Sequence, residues 1–146
     1  ATKAVVVING QKEQVQLTPE EELQVLIDKA KKKHGRVYKT IIADEVIIWR
    51  MLKRNEYKEI MNILIQKEEQ VLDENGMPVL DEFGNPQIQY IDDEEATYDL
   101  RQEAIAKAVI LYPIGIVDQM AAVADIISTE CMLKSGFGER PITEQC

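Results

Sequence analysis

The sequence predicts an α+β fold, with two β-hairpins, about four helices and an extended ribbon inserted between two of the helices. Three observations carry that reading. β-Branched runs come in closely spaced pairs early in the chain, and apolar residues at helical spacing dominate later. Between these regions, residues 72–87 state one eight-residue phrase twice, Leu-Asp-Glu-Asn-Gly-Met-Pro-Val and Leu-Asp-Glu-Phe-Gly-Asn-Pro-Gln. A chain of 146 residues is long enough to bury a core without staples. We read residues 1–138 as a single domain, with an N-terminal hairpin over 3–17, the ribbon over 71–91 and a C-terminal tail over 139–146.

The first hairpin is expected from Ala4-Val5-Val6-Val7-Ile8 and Val15-Gln16-Leu17 on either side of Asn9-Gly10, the dipeptide that best accepts the positive φ of a two-residue turn. Thr18-Pro19-Glu20-Glu21 then supplies an N-cap, a first-turn proline and a capping-box glutamate. Leu23, Leu26, Ile27 and Ala30 continue that helix with only half its circumference apolar, lysines gather at its C-terminal end and Gly35 stops it. Val37 to Ile42 and Val46 to Trp49, separated by Ala43-Asp44-Glu45, predict the second hairpin. Tyr57, Ile60, Met61 and Leu64 predict a helix running to about Gln70.

The doubled phrase is too short and too few in copies for a solenoid, which needs units of about 20 residues or more and at least about three of them. Each copy instead reads as one turn, with Gly where positive φ is needed and Asp where its carboxylate bonds the backbone two residues on. Prolines confine the short extended pieces around the turns to sheet edges, so the expectation is a narrow ribbon with two bends. Asp92-Asp93-Glu94-Glu95 opens the next helix, with Leu100, Ala104, Ala108 and Leu111 as its buried stripe and Pro113 as its end. One further helix is expected over 116–133, apolar at Val117, Met120, Ala121, Ala124, Ile127 and Cys131, and closed by Ser135-Gly136.

Charge is divided unevenly along the chain. Of the net −9, eleven carboxylates and no cation fall between Glu68 and Leu100; the seventeen cations elsewhere outnumber the fifteen remaining acids by two. Lys29, Lys31, Lys32, Lys33, Arg36 and Lys39 form a basic cluster. Such asymmetry suits association between copies or with a neighbouring protein, whereas the overall acidity argues against nucleic acid as partner. No apolar run approaches the ~18 residues of a membrane span and no leader pattern is seen, so a cytosolic setting without a membrane partner is expected.

Catalytic options fail on the residues present. His34 is the single histidine and sits among lysines at a helix end. No Cys/His/Asp group has zinc spacing, and Gly76 and Gly84 lie in acidic turns that would repel phosphate. Asp73 and Asn75 before Gly76 have a partial likeness to a calcium loop, but the closing ligand is missing. Cys131 and Cys146 form no disulfide framework; a buried thiol and a loose terminal one are expected. The reading is a protein that is no enzyme, with no cofactor, metal or small-molecule substrate. Its expected contacts are Met77, Val79, Leu80, Phe83 and Ile88 on the ribbon and Lys31, Lys32, Lys33 and Arg36 in the basic cluster.

Val46 to Ile60 is a strand running into a helix through Arg-x-Leu-x-Arg-x-Glu-Tyr-Lys, followed by Glu103-Ala104-Ile105, Val109-Ile110-Leu111-Tyr112-Pro113, Ala124-Asp125-Ile126-Ile127 and Ser135-Gly136-Phe137. That order, over about residues 37–137, resembles a group of small tail proteins of contractile-tailed bacteriophages, described as baseplate or tail components or as tail-assembly chaperones. In that pattern Ser or Thr often precedes the Arg as helix cap; Lys53 departs from it. The resemblance implies a virion structural protein of the tail or baseplate, assembled in the host cytoplasm and binding other phage structural proteins and itself. The alternatives it leaves open are a transient tail-assembly chaperone and a head or neck component. For Arg50, Arg54, Tyr57 and Lys58 the expectation is structural, with Tyr57 in the core and the cations meeting carboxylates such as Glu103.

Overall fold

The structure, a computed structural model, describes residues 3–8, 11–137 and 141–146, with side chains from residue 16 onward. In chain order its elements are β1 (Lys3–Ile8), β2 (Gln11–Gln16), α1 (Pro19–His34), β3 (Val37–Ile42), β4 (Glu45–Arg50), α2 (Arg54–Met61), β5 (Gln66–Gln70), β6 (Ile88–Asp92), α3 (Glu94–Val109), β7 (Ile110–Tyr112), α4 (Ile116–Gln119) and α5 (Ala121–Lys134). The fold class is α+β, with small antiparallel sheets β1-β2, β3-β4-β7 and β5-β6. The sequence reading draws one domain over 1–138. The chain's contacts cluster in two compact units, one of residues 1–51 with 109–116 and one of 52–108 with 117–146.

In the first unit β1 and β2 pair from Lys3↔Gln16 to Ile8↔Gln11; the expected Asn9-Gly10 turn lies outside the described residues. Thr18 caps α1 as its sequence demands: Thr18 Oγ1 accepts from the Glu21 N–H at 3.2 Å, and the Glu21 carboxylate accepts in return from the Thr18 N–H. Gly35 ends the helix at φ 79°, donating its N–H to the Lys31 carbonyl. In the second hairpin Tyr38 and Trp49 are partners and their rings stack at 4.6 Å, while Trp49 Nε1–H donates to Thr40 Oγ1 at 2.8 Å. Ile47, Ile48 and Trp49 are all buried, so β4 is covered on both faces.

The loop between β3 and β4 is Ala43-Asp44 alone, because Glu45 already pairs with Ile42. Both loop residues have positive φ, 48° and 65°. Such a turn prefers Asn-Gly, and left-handed geometry costs an ordinary L-residue about 1–2 kcal/mol. Ala43→Asn combined with Asp44→Gly is therefore expected to stabilise the protein by about 1 kcal/mol, read as a higher urea midpoint with an unchanged slope. An unchanged or lowered midpoint would contradict it.

Three expectations for the rest of the chain are corrected. The helix expected to reach Gln70 stops at Met61, and residues 66–70 form β5 against β6. The cause lies in α3. Arg101 donates to the carbonyls of Met61 at 2.8 Å and Ile63 at 3.0 Å, and Thr97 Oγ1 accepts from the Ile65 N–H at 2.9 Å. These side chains satisfy the backbone that a continuing helix would have satisfied itself. Secondly, the stripe of α3 is not the expected one: Thr97, Ile105, Ala106 and Val109 are buried and Leu100 is exposed. The helix also ends before Leu111. Pro113 disfavours helical backbone at Tyr112, and residues 110–112 instead add a third strand beside β4. Thirdly, the helix expected over 116–133 is two, broken at Met120, whose backbone is extended and whose side chain supplies no cap. Val123, Ile127, Ser128 and Cys131 face the interior of the second unit.

Glu103 forms its ion pair with Lys107, one turn along α3, at 2.8 Å, and Asp118 lies 3.5 Å from the same amine. The Glu103 hydrogen bond, then the charge of Asp118, holds the Lys107 pKa above its ordinary value of 10.5. A raised lysine stabilises the fold below its unfolded pKa, so this contribution is present at neutral pH and is lost only as pH rises beyond about 10.5. Tyr57 is half-buried with its ring 5.1 Å from that of Phe137. At the start of α2 the Glu56 carboxylate accepts from the Lys53 N–H, but the Lys53 side chain caps nothing.

Replacing Arg101 by Met should keep the stem's volume while orphaning both carbonyls. The expected cost is about 2 kcal/mol, since a hydrogen bond to a charged group contributes ~1.5–3 kcal/mol. A urea midpoint equal to the parent's would show that water serves these carbonyls as well as the guanidinium does.

Candidate functional site

The doubled phrase folds into two turns of one design. Asp73 Oδ1 accepts from the N–H groups of Asn75 and Met77, and Asp81 Oδ1 from those of Phe83 and Asn85, all at 2.9 Å. Gly76 and Gly84 take φ 77° and 78°, and their N–H groups return to the carbonyls of Asp73 and Asp81. Each Asp thus fixes its loop through two backbone donors, and each Gly supplies the left-handed residue that closes it.

The turns are not successive bends along one ribbon, as the sequence suggests. They branch from a junction. The Val71 N–H donates to the Gln87 carbonyl at 3.0 Å, the Gln87 N–H to the Val79 carbonyl at 2.8 Å, and the Val79 N–H to the Val71 carbonyl at 2.8 Å. These three residues, spaced by eight, close a triangle of backbone bonds about a pseudo-threefold axis. Two limbs are the turns over 72–78 and 80–86; the third is the β5-β6 stem.

The triangle explains the prolines. Leu72 bridges Pro78 and Leu80 bridges Pro86, just as Ile88 pairs with Gln70 in the stem. In the two turns the ladder bonds fall on either side of that pair, from Asp73 to Met77 and Val79 to Val71, then from Asp81 to Asn85 and Gln87 to Val79. The paired position itself needs no N–H, so proline costs no bond there. Side chains of such a pair lie on the same side of the ladder, and the pseudo-threefold relation carries that side round the axis. Leu72, Leu80 and Ile88 are 55%, 57% and 55% exposed, and Pro78 and Pro86 are exposed beside them. The result is an apolar face on limbs that also carry Glu68, Asp73, Glu74, Asp81 and Glu82; Glu68, two residues from Gln70, shares the side of Ile88, and Glu69 faces away.

Of the expected contact residues, Met77, Leu80, Phe83 and Ile88 are exposed, Phe83 at 85%. Val79 is half-buried, and its N–H and carbonyl are both used in the triangle. The reading missed Leu72, Pro78 and Pro86, although the recurrence of Val71-Leu72 and Val79-Leu80 at Gln87-Ile88 marks all three limbs. Lys31, Lys32, Lys33 and Arg36 are exposed at the end of α1 and just beyond it, and Lys39 is exposed on β3.

Elsewhere in the second unit a groove of about 350 Å³ runs between Met61, Tyr98, Arg101, Ile105, Met132 and Leu133. Its one charged side chain, Arg101, is committed to the backbone carbonyls described above. Among the described residues no three His, Cys, Asp or Glu side chains converge as a metal site requires, and no helix is long and apolar enough to cross a membrane. Cys131 is buried and Cys146 is exposed.

No family model matches the chain, and no curated protein or solved structure matches it either.

Proposed function

We propose that this protein is a structural component of a tailed bacteriophage, in the tail or baseplate, and that it holds neighbouring subunits through its three-limbed junction. The observation that carries the interaction role is the junction face. Five exposed apolar side chains stand on a backbone locked by its own hydrogen bonds, on limbs that also carry the exposed carboxylates of Glu68, Glu74 and Glu82. An apolar centre with a polar rim is the anatomy of a protein interface, and a face fixed in advance loses little entropy on docking. The phage assignment comes from the ordered segments over residues 37–137 and their resemblance to small tail proteins of contractile-tailed phages.

Mass spectrometry of purified phage particles tests the assignment. The protein is expected in stoichiometric amount with the other tail components. Its presence in infected-cell lysate and absence from particles would replace this reading with a transient assembly chaperone.

A further inference from the structure

We infer that the partner of the junction is a second copy of this chain, and that the junction of one copy docks on the basic end of α1 in the next. The inference deepens the function proposed above, from which it takes only that the junction is a docking face.

Both halves of a charge-complementary contact are present in one chain. Between Lys29 and Ala43 there are six cations and no carboxylate; between Glu68 and Tyr90, which spans both turns and most of the stem, there are six carboxylates and no cation. The six cations are all exposed, and none has an ion pair among the described residues. Single exposed ion pairs contribute little, about 0–1 kcal/mol. Here several carboxylates share the limbs with an apolar face, and the long aliphatic stems of Lys31, Lys32 and Lys33 are suited to cover Leu72, Leu80 and Ile88 while their ammonium groups reach those carboxylates. Phe83 offers an open ring for Arg36 or a lysine to sit over. Nucleic acid is a poor occupant for the basic end, because the chain as a whole carries −9.

A contact between two different patches is heterologous. Each copy therefore keeps one free junction and one free basic end, and association continues until a ring closes or a filament grows. Bulk salt should weaken it, since charges are screened over about 8 Å at physiological ionic strength.

Charge exchange tests this directly. One variant carries Lys31→Glu, Lys32→Glu and Lys33→Glu; the other carries Glu68→Lys, Glu74→Lys and Glu82→Lys. Sedimentation velocity at low salt should show the parent above its monomer mass of 16.6 kDa, falling toward it as salt rises. Each variant alone should be monomeric with the parent's circular dichroism, because a patch with half of its six charges reversed is left neutral and no longer attracts its complement. An equimolar mixture should associate again, because the unaltered junction of the first variant meets the unaltered basic end of the second. The inference is overturned by a parent that stays monomeric at all salt concentrations, by variants that associate as the parent does, or by a mixture that stays monomeric. A parent monomeric in solution but stoichiometric in particles would remove the second copy as partner and leave the proposed function standing. A parent that associates but is missing from particles would do the reverse.

Discussion

Replacing residues 73–87 by a short Gly/Ser linker is expected to abolish incorporation into particles while leaving the rest of the chain folded. The segment holds both turns and two corners of the triangle, Val79 and Gln87, and its described hydrogen bonds close within residues 71–87. No buried residue lies in it. Removing it therefore takes little from either unit's core, and a change in loop length costs only about 0.6 kcal/mol per doubling. The melting temperature should move by no more than a few degrees, about what 1 kcal/mol produces in a domain of this size. Loss of incorporation with that melting behaviour would assign the junction to partner binding. Normal incorporation and infectivity would make it a tolerated surface insertion.

Truncating Trp49 to alanine is expected to cost about 3–5 kcal/mol, the largest loss from any single side chain considered above. Trp49 is the largest fully buried residue, stacks on Tyr38 and donates to Thr40. The stack alone contributes ~0.5–1.5 kcal/mol beyond area. Total stability for such a chain is of the order of 5–15 kcal/mol, so the variant should unfold at a far lower urea concentration. Trp49→Phe keeps a ring against Tyr38 and gives up the hydrogen bond, and should lose less than half as much. A loss below about 1.5 kcal/mol for the alanine variant would mean that the site collapses around the gap and that β4 is not the anchor of its sheet.

What the sequence revealed was mostly local chemistry. Thr18-Pro19-Glu20-Glu21 starts a helix by residues within four positions of one another, and Gly35 stops it the same way. Val37 to Trp49 pairs as expected, although its turn uses Ala43-Asp44 in a geometry that neither residue advertises. The failures came where distant residues decide. Leu64 continues the period of Tyr57, Ile60 and Met61, yet Arg101 and Thr97, more than thirty positions away, take over the backbone after Met61 and turn the chain into β5. The face that α3 buries differs from the expected one because its four alanines occur at several angles round it, so packing rather than periodicity selects Ile105 and Ala106. The break at Met120 has no Gly or Pro to announce it. In the junction each turn was legible from Asp and Gly, but the triangle depends on Gln87-Ile88 standing where a third Val-Leu would fall.

The central claim is that the three-limbed junction is the surface by which this protein holds a neighbour. On the function proposed above, a photo-reactive phenylalanine analogue in place of Phe83 measures that contact in the assembled phage particle. The ring stands at 85% exposure at the tip of a limb and no core depends on it, so the labelled protein should fold and assemble. On irradiation, position 83 is expected to crosslink to an adjacent subunit, and the crosslinked peptide should identify which one. Particles that contain the labelled protein in normal amount but yield no crosslink from position 83 would contradict the account.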